Sequence, residues 1–241
     1  MMTDTDILMK GITALSPLRL SGRAVLLAGL MSLMAAFPAL AHSVWIEPTA
    51  DGVLVVRFGE LDGSFETSPG HLDALSLPHS FALSEKGEPT SLDASKQKEG
   101  YHLEKSSASA VTGIETEFSL MARGEPKITR RPSFYARWQP EGWAAGAPRL
   151  TLDIVPADEP GTARIYFRGK PLAGAQVKLH SPTGRENTLT ADGQGLVKFE
   201  ATKPGRWLLL LSRHSEELPG FVHGQGYDVH SHNASLCWVQ K

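Results

Sequence analysis

Nine histidines and one cysteine set much of the chemistry open to this 241-residue chain. Three of the histidines crowd one stretch near the C-terminus, FVHGQGYDVHSHNASLCW. His230 and His232 stand two residues apart there, so in a strand their rings project to the same face. His223 precedes them in a glycine-rich segment able to fold back on the pair. A fourth, His42, follows Ala39-Leu40-Ala41. If the chain is cut after Ala41, the new terminal amine and the ring Nδ1 of the same residue can close a six-membered chelate on one metal ion. The amine titrates near ~7.7–8.0 and the imidazole near ~6.5, so freeing both nitrogens for a metal costs little near neutrality. A second histidine from the C-terminal group would then complete a T-shaped three-nitrogen site, a histidine brace. Imidazole donors suit nickel, cobalt, copper and zinc. The expected metal ligands are His42, His223, His230 and His232.

Other polar residues have lesser claims. Glu47 follows His42 closely enough to approach a site built on it, and Asp228 lies where it could orient an imidazole as an outer partner. Trp45 and Tyr227 read as packing residues, with room for an aromatic beside a metal. His71, His79, His102, His180 and His214 are scattered and read as surface or structural. Cys237 alternates with Leu236 and Trp238 and reads as a small buried hydrophobe. The chain has no G-x-S-x-G elbow, phosphate-binding loop, H-E-x-x-H or cysteine pair, so no hydrolase or nucleotide enzyme is indicated. The expectation is a non-enzymatic metal-binding protein. Two alternatives stand beside it: a metal-free binding or adhesion module, and a histidine-brace copper oxidase, against which the lack of paired cysteines counts.

The N-terminal stretch carries an expectation of where the chain works. Lys10, Arg19 and Arg23 precede an apolar run from Ala24 to Phe37, and Ala39-Leu40-Ala41 follows. This is the positive, apolar, small-residue order of a secretory signal, with cleavage expected after Ala41 and a retained membrane anchor as the alternative. No cysteine lies near the cut, so no lipid anchor is expected. One cysteine makes no internal disulfide, and a bacterial periplasm fits an exported chain stabilised by its core alone. The formal charge is −2 with no basic cluster, which argues against nucleic acid or an anionic membrane surface as partner.

The elements that must position the histidines read as strands. From Arg164 onward, short strand patterns recur about every ten residues, the spacing of an all-β sandwich. Ala175, Val177 and Leu179 share one face, as do Trp207, Leu209 and Leu211. Upstream, GVLVVRFGE, SFYARWQ and RLTLDIV are strand-like, and no stretch carries a sustained, capped helical period. The Pro- and acid-rich DIVPADEPGT, residues 153–162, suggests a boundary. The expected organisation is a signal peptide at 1–41, an N-terminal β domain at 42–155, and an immunoglobulin-like or transthyretin-like β-sandwich at 156–241.

Several stretches together resemble a known family: AHSVWIEP, PSFYARW, FRGKPLAGAQVKLHSPTGRENTLTADGQGLVKFEATKPGRWLLLL and HSHNASLCW. They are similar to a family of bacterial periplasmic proteins catalogued mainly as a domain of unknown function, some members of which are described as components of nickel or cobalt uptake systems. The resemblance spans nearly all of the chain after Ala41. Its A-H-x-x-W-I-x-P element matches His42, Trp45 and Pro48. It implies a soluble periplasmic protein that binds a transition metal, with His42 carried over as a ligand, and hands it to, or senses it for, a membrane transporter; the expected ion is nickel or cobalt, with copper possible, and the expected partner an inner-membrane metal transporter.

Overall fold

The run WLLLL at residues 207–211 is apolar on both faces of any strand it forms, and the fold is built around it. The computed structural model describes residues 42–140, 142 and 144–241. The leader expected at 1–41, with its cleavage site, lies outside the described residues. The described residues form nineteen strands. The first nine are β1 (Ser43–Pro48), β2 (Leu54–Gly59), β3 (His79–Leu83), β4 (Pro89–Leu92), β5 (Ala94–Gln97), β6 (Gly100–Leu103), β7 (Thr112–Glu117), β8 (Met121–Arg123) and β9 (Ile128–Gln139). They are followed by β10 (Leu152–Pro156), β11 (Thr162–Phe167), β12 (Lys170–Pro171), β13 (Gln176–His180), β14 (Glu186–Thr190), β15 (Leu196–Lys198), β16 (Gly205–Glu216), β17 (Gly220–Val222), β18 (Gln225–Tyr227) and β19 (Val229–Gln240). The chain is all-β, as its patterning predicts.

The strands form three main layers. A nine-stranded central sheet runs β14-β13-β16-β19-β9-β7-β3-β4, with β8 added on β9. One face carries the sheet β1-β2-β6-β5, and the other carries β10-β11-β12 with β15 paired to β11. Two apolar cores fill the spaces. The first joins Trp45, Ile46, Leu54, Val56, Phe58 and Tyr101 to Phe134, Trp138, Leu208, Leu210 and Cys237. The second joins Leu152, Ile154 and Ile165 to Tyr135, Trp207, Leu209, Leu211, Leu236 and Trp238. Alternate residues of β16 and β9 thus enter opposite cores, as the period of two requires. Trp207, Leu209 and Leu211 do share a face, and Leu208 and Leu210 on the reverse face are equally buried.

Strands from both sides of the boundary expected at 155/156 lie in the central sheet. β19 pairs in parallel with β9, from Val229↔Arg130 to Trp238↔Gln139, and antiparallel with β16 on its other edge. β10, which crosses the boundary, pairs with β11 as an antiparallel hairpin. One ion pair is buried in this region: Arg137 Nη2 lies 2.6 Å from Asp153 Oδ2, with the two side chains 3% and 0% exposed.

Candidate metal centres

The described residues hold two groups of three histidine and glutamate side chains whose donor atoms all lie within 4.8 Å of one another: His42, Glu66 and His71, and Glu216, His230 and His232. They sit on opposite sides of the central sheet. Ser235 of β19 donates its hydroxyl to Val44 O of β1 at 2.8 Å, so odd positions there face the sheet that His42 leads into. His232 stacks on Tyr135 and meets Phe167 edge-on at 5.0 Å, both on the side of the second core.

The first group is held by a tight loop. Ser43 pairs with Gly59 at the end of β2, and the His42 ring lies against Phe58 at 5.2 Å between centroids. Past Gly59 the chain folds back: Glu60 N–H donates to Ser64 O at 2.9 Å and Glu66 N–H to Phe58 O at 2.8 Å. The loop thereby brings two carboxylates to one imidazole. His42 Nε2 makes a short contact with Glu66 Oε1, and Nδ1 faces Glu60 Oε1 at 3.6 Å. That separation is too long for a hydrogen bond, and Glu60 Oε1 is buried with no hydrogen-bond partner among the described residues. A buried acceptor left so is costly.

His71 completes the group from a 3-10 turn, His71–Ala74, with its Nδ1 3.5 Å from Glu66 Oε1. Asp73 fixes the turn by accepting from Ser68 Oγ at 2.7 Å, Gly70 N–H at 3.0 Å and Lys96 Nζ at 3.0 Å. The Ser68 and Gly70 hydrogen bonds, with the Lys96 ammonium, hold its carboxyl down at about 2. At Glu66, burial works to raise the carboxyl, but the hydrogen bonds and charges of His42 and His71 outweigh it and the net shift is downward. The carboxylate is ionised at neutral pH and available to a metal.

The second group is more buried. His230 and His232 do share a face of β19, with ring centroids 4.0 Å apart. His232 Nε2 lies 3.1 Å from Glu216 Oε2, and its Nδ1 lies 2.9 Å from Tyr135 Oη. His230 Nε2 lies 2.8 Å from Ser133 Oγ. Burial pushes all three imidazoles of this region down. His232 falls to about 4, burial being reinforced by the neighbouring His230 ring and opposed by Glu216. His230 is lowered by burial and then Arg131, and His214 by burial with Arg168 adding to it, so both favour the neutral form. Neutral imidazoles are the metal-binding form. Burial also pushes the Tyr135 phenol up to about 12, so it remains a protonated partner for Nδ1.

These shifts carry a stability cost in acid. The folded chain resists protonation at His232 where the unfolded chain accepts a proton near 6.5, so the unfolded state binds more protons between those values. The stability that neutral His232 provides is complete above pH ~6.5 and is lost as pH falls toward ~4. For metal-free protein the loss from this residue is expected to be about 2 kcal/mol. Urea unfolding at pH 7 and pH 4.5, on the wild type and His232→Gln, reads it: an equal fall in both proteins would overturn the assignment.

The four expected ligands therefore do not converge on one site. His42 leads one cluster, His230 and His232 form the other, and His223 joins neither. It sits exposed at the turn between β17 and β18 with φ 49°, beside a cavity of about 220 Å³ that Glu117, Phe118 and Arg131 also line. Asp228 is engaged elsewhere: its carboxylate accepts from Thr129 N–H at 2.7 Å. Glu47 turns away from His42 and binds Trp45 Nε1 at 2.9 Å, Arg57 Nε at 3.0 Å and the Arg206 guanidinium. Trp45 is fully buried in the first core, and Tyr227 lies 6.1 Å from the His230 ring. Cys237 is buried and its thiol is pushed up by burial, in keeping with an inert side chain.

Glu60, Glu66, His71 and Glu216 are the residues that reading by motif missed. Glu216 had a legible signal: H-x-E at 214–216 puts two donors on one face of a strand, opposite the H-x-H. Glu60, Glu66 and His71 reach His42 only through loop geometry, which no spacing rule encodes. No protein-family model and no curated protein matches the chain, so the geometry of these two clusters carries the functional reading.

Proposed function

We propose that the protein is an exported, non-enzymatic transition-metal-binding protein of the bacterial periplasm that takes nickel or cobalt at a site built on His42 and passes it to an inner-membrane transporter. The observation behind this reading is the His42 ring set between Glu60 and Glu66 with His71 beside it. Cleavage after Ala41 would add a terminal amine next to Nδ1, giving one residue two nitrogen donors on the side of the ring that faces Glu60, while Nε2 faces Glu66. A mixed nitrogen and oxygen donor set suits divalent nickel and cobalt, and it lacks the thiolate or thioether that a Cu(I) carrier uses. The resemblance to periplasmic proteins tied to nickel and cobalt uptake points the same way. Within residues 156–241, β11, β12 and β15 on one side and β14, β13, β16 and β19 on the other enclose the second core, which supports reading this stretch as an immunoglobulin-like or transthyretin-like sandwich to which β10 and Tyr135 add from upstream.

The test uses protein secreted through its own leader, with intact mass confirming a start at His42. His42→Ala is expected to weaken nickel or cobalt binding at this site at least about tenfold, a loss of ~1.4 kcal/mol or more. Calorimetric titration measures it. Unchanged affinity in a correctly processed variant would remove His42 as anchor.

A further inference from the structure

We propose that Glu216, His230 and His232, with His214 as a neighbouring donor, form a second site for a divalent transition metal, independent of how the N-terminus is processed. The strand geometry is arranged to assemble it. β16 and β19 stay in register from Gly205↔Gln240 to Leu211↔Ala234, then shift, so that His214 pairs with His232 and Glu216 with His230. The shift is a bulge of one residue on β16, where Arg213 takes φ 61° and donates its N–H to Asn233 Oδ1 at 3.0 Å. Without it, period-two alternation would send His214 and Glu216 to the face opposite the histidine pair. With it, all four side chains project to one face. Bulges that re-aim side chains in this way are over-represented beside functional sites.

The donor separations suit one ion. Metal bonds of ~2.0–2.2 Å to nitrogen and oxygen hold adjacent donors about 3 Å apart. His232 Nε2 and Glu216 Oε2 are 3.1 Å apart. Outer partners are also in place. Tyr135 Oη can accept a hydrogen bond from Nδ1–H of His232 when Nε2 binds a metal, and Ser133 holds Nε2 of His230, leaving its other nitrogen for the ion. Two imidazoles and a carboxylate select zinc, cobalt or nickel over calcium and magnesium, which take oxygen donors.

One residue supplies a stand-in positive charge. Arg168, more than half exposed, places Nη2 2.7 Å from the same Glu216 Oε2 that faces His232. A metal entering the cluster competes with that guanidinium for the carboxylate. Removing the arginine should therefore strengthen metal binding, an outcome that a purely structural hydrogen bond between Glu216 and His232 does not produce.

The experiment is a Co(II) titration of chelator-stripped, leader-processed protein, followed by calorimetry and by the visible ligand-field bands of bound cobalt. Wild type is expected to bind two equivalents, His42→Ala one, and the paired Glu216→Gln and His230→Asn variant one. Arg168→Gln in the His42→Ala background is expected to tighten the remaining site about threefold or more. Circular dichroism confirms that each variant is folded, and the arginine variant leaves every proposed ligand intact. The proposal is overturned if His42→Ala protein binds no cobalt with a dissociation constant below ~100 μM, or if it binds one equivalent that the Glu216 and His230 substitutions do not weaken. A single wild-type equivalent lost with His42→Ala sinks this site alone. A single equivalent lost only with the Glu216 and His230 substitutions sinks the His42 reading alone.

Discussion

Replacing Arg137 by Met is expected to lower the unfolding free energy by about 3–5 kcal/mol, the cost of leaving a buried charge without its partner. Asp153 is fully buried, away from bulk solvent. It accepts from Arg137 Nε at 2.9 Å and Nη2 at 2.6 Å, and also from the backbone N–H groups of Arg149 at 2.8 Å and Leu150 at 3.3 Å. The pair thus ties β9 to the loop entering β10 through four hydrogen bonds on one carboxylate. A domain of this size loses roughly 2–4 °C of melting temperature per kcal/mol, so a fall of about 10 °C is expected. Replacing both residues, Arg137→Met with Asp153→Leu, removes both charges and should cost less than the single change, although two backbone donors then lack an acceptor. If the double variant melts as low as Arg137→Met or lower, stranded charge is not the cause.

Gly59→Ala is expected to damage both the fold and the His42 cluster. Gly59 has φ 151°, a region that other residues essentially avoid. A Cβ there would stand 2.3 Å from Ser64 O and 2.9 Å from Phe65 Cα, and both are backbone atoms that move only if the loop moves. The expected loss is about 2–4 kcal/mol in stability. Because Glu60 and Glu66 ride on that loop, metal affinity at His42 should also fall at least about tenfold, or ~1.4 kcal/mol. Binding at Glu216, His230 and His232 should survive, since those residues stand on β16 and β19. Titration of the variant with cobalt separates the two: loss at both clusters alike would mean general unfolding, and loss at neither would mean the loop tolerates a side chain.

The all-β class was legible because period-two alternation is local. Val177 with Leu179, and Trp207 with Leu209 and Leu211, show their shared faces within five residues. The arrangement of sheets was not legible, because β19 finds β9 about a hundred residues away and no local pattern names that partner. The continuous WLLLL run was the nearest signal, since only a strand covered on both faces is apolar throughout. At the candidate sites, H-x-H at 230–232 placed two rings together correctly, for the same local reason. The single-site expectation joined His42 to that pair, whereas the sheet between them puts them in separate clusters. Spacing rules see one strand at a time, and a bulge or a folded-back loop changes which side chains meet.

The central position of β19 sets an order of events in folding. It is the last strand, yet it lies between β16 and β9 and contributes to both cores. A chain threaded N-terminus first through any channel cannot close its middle layer until residues 229–240 have emerged. Until then β9 and β16 each present an unpaired edge, and neither core is complete. Long-range parallel pairing of this kind is slow to form. The topology therefore leaves both cores incomplete until the last twelve-residue strand is available, and that strand closes the middle layer as a bolt.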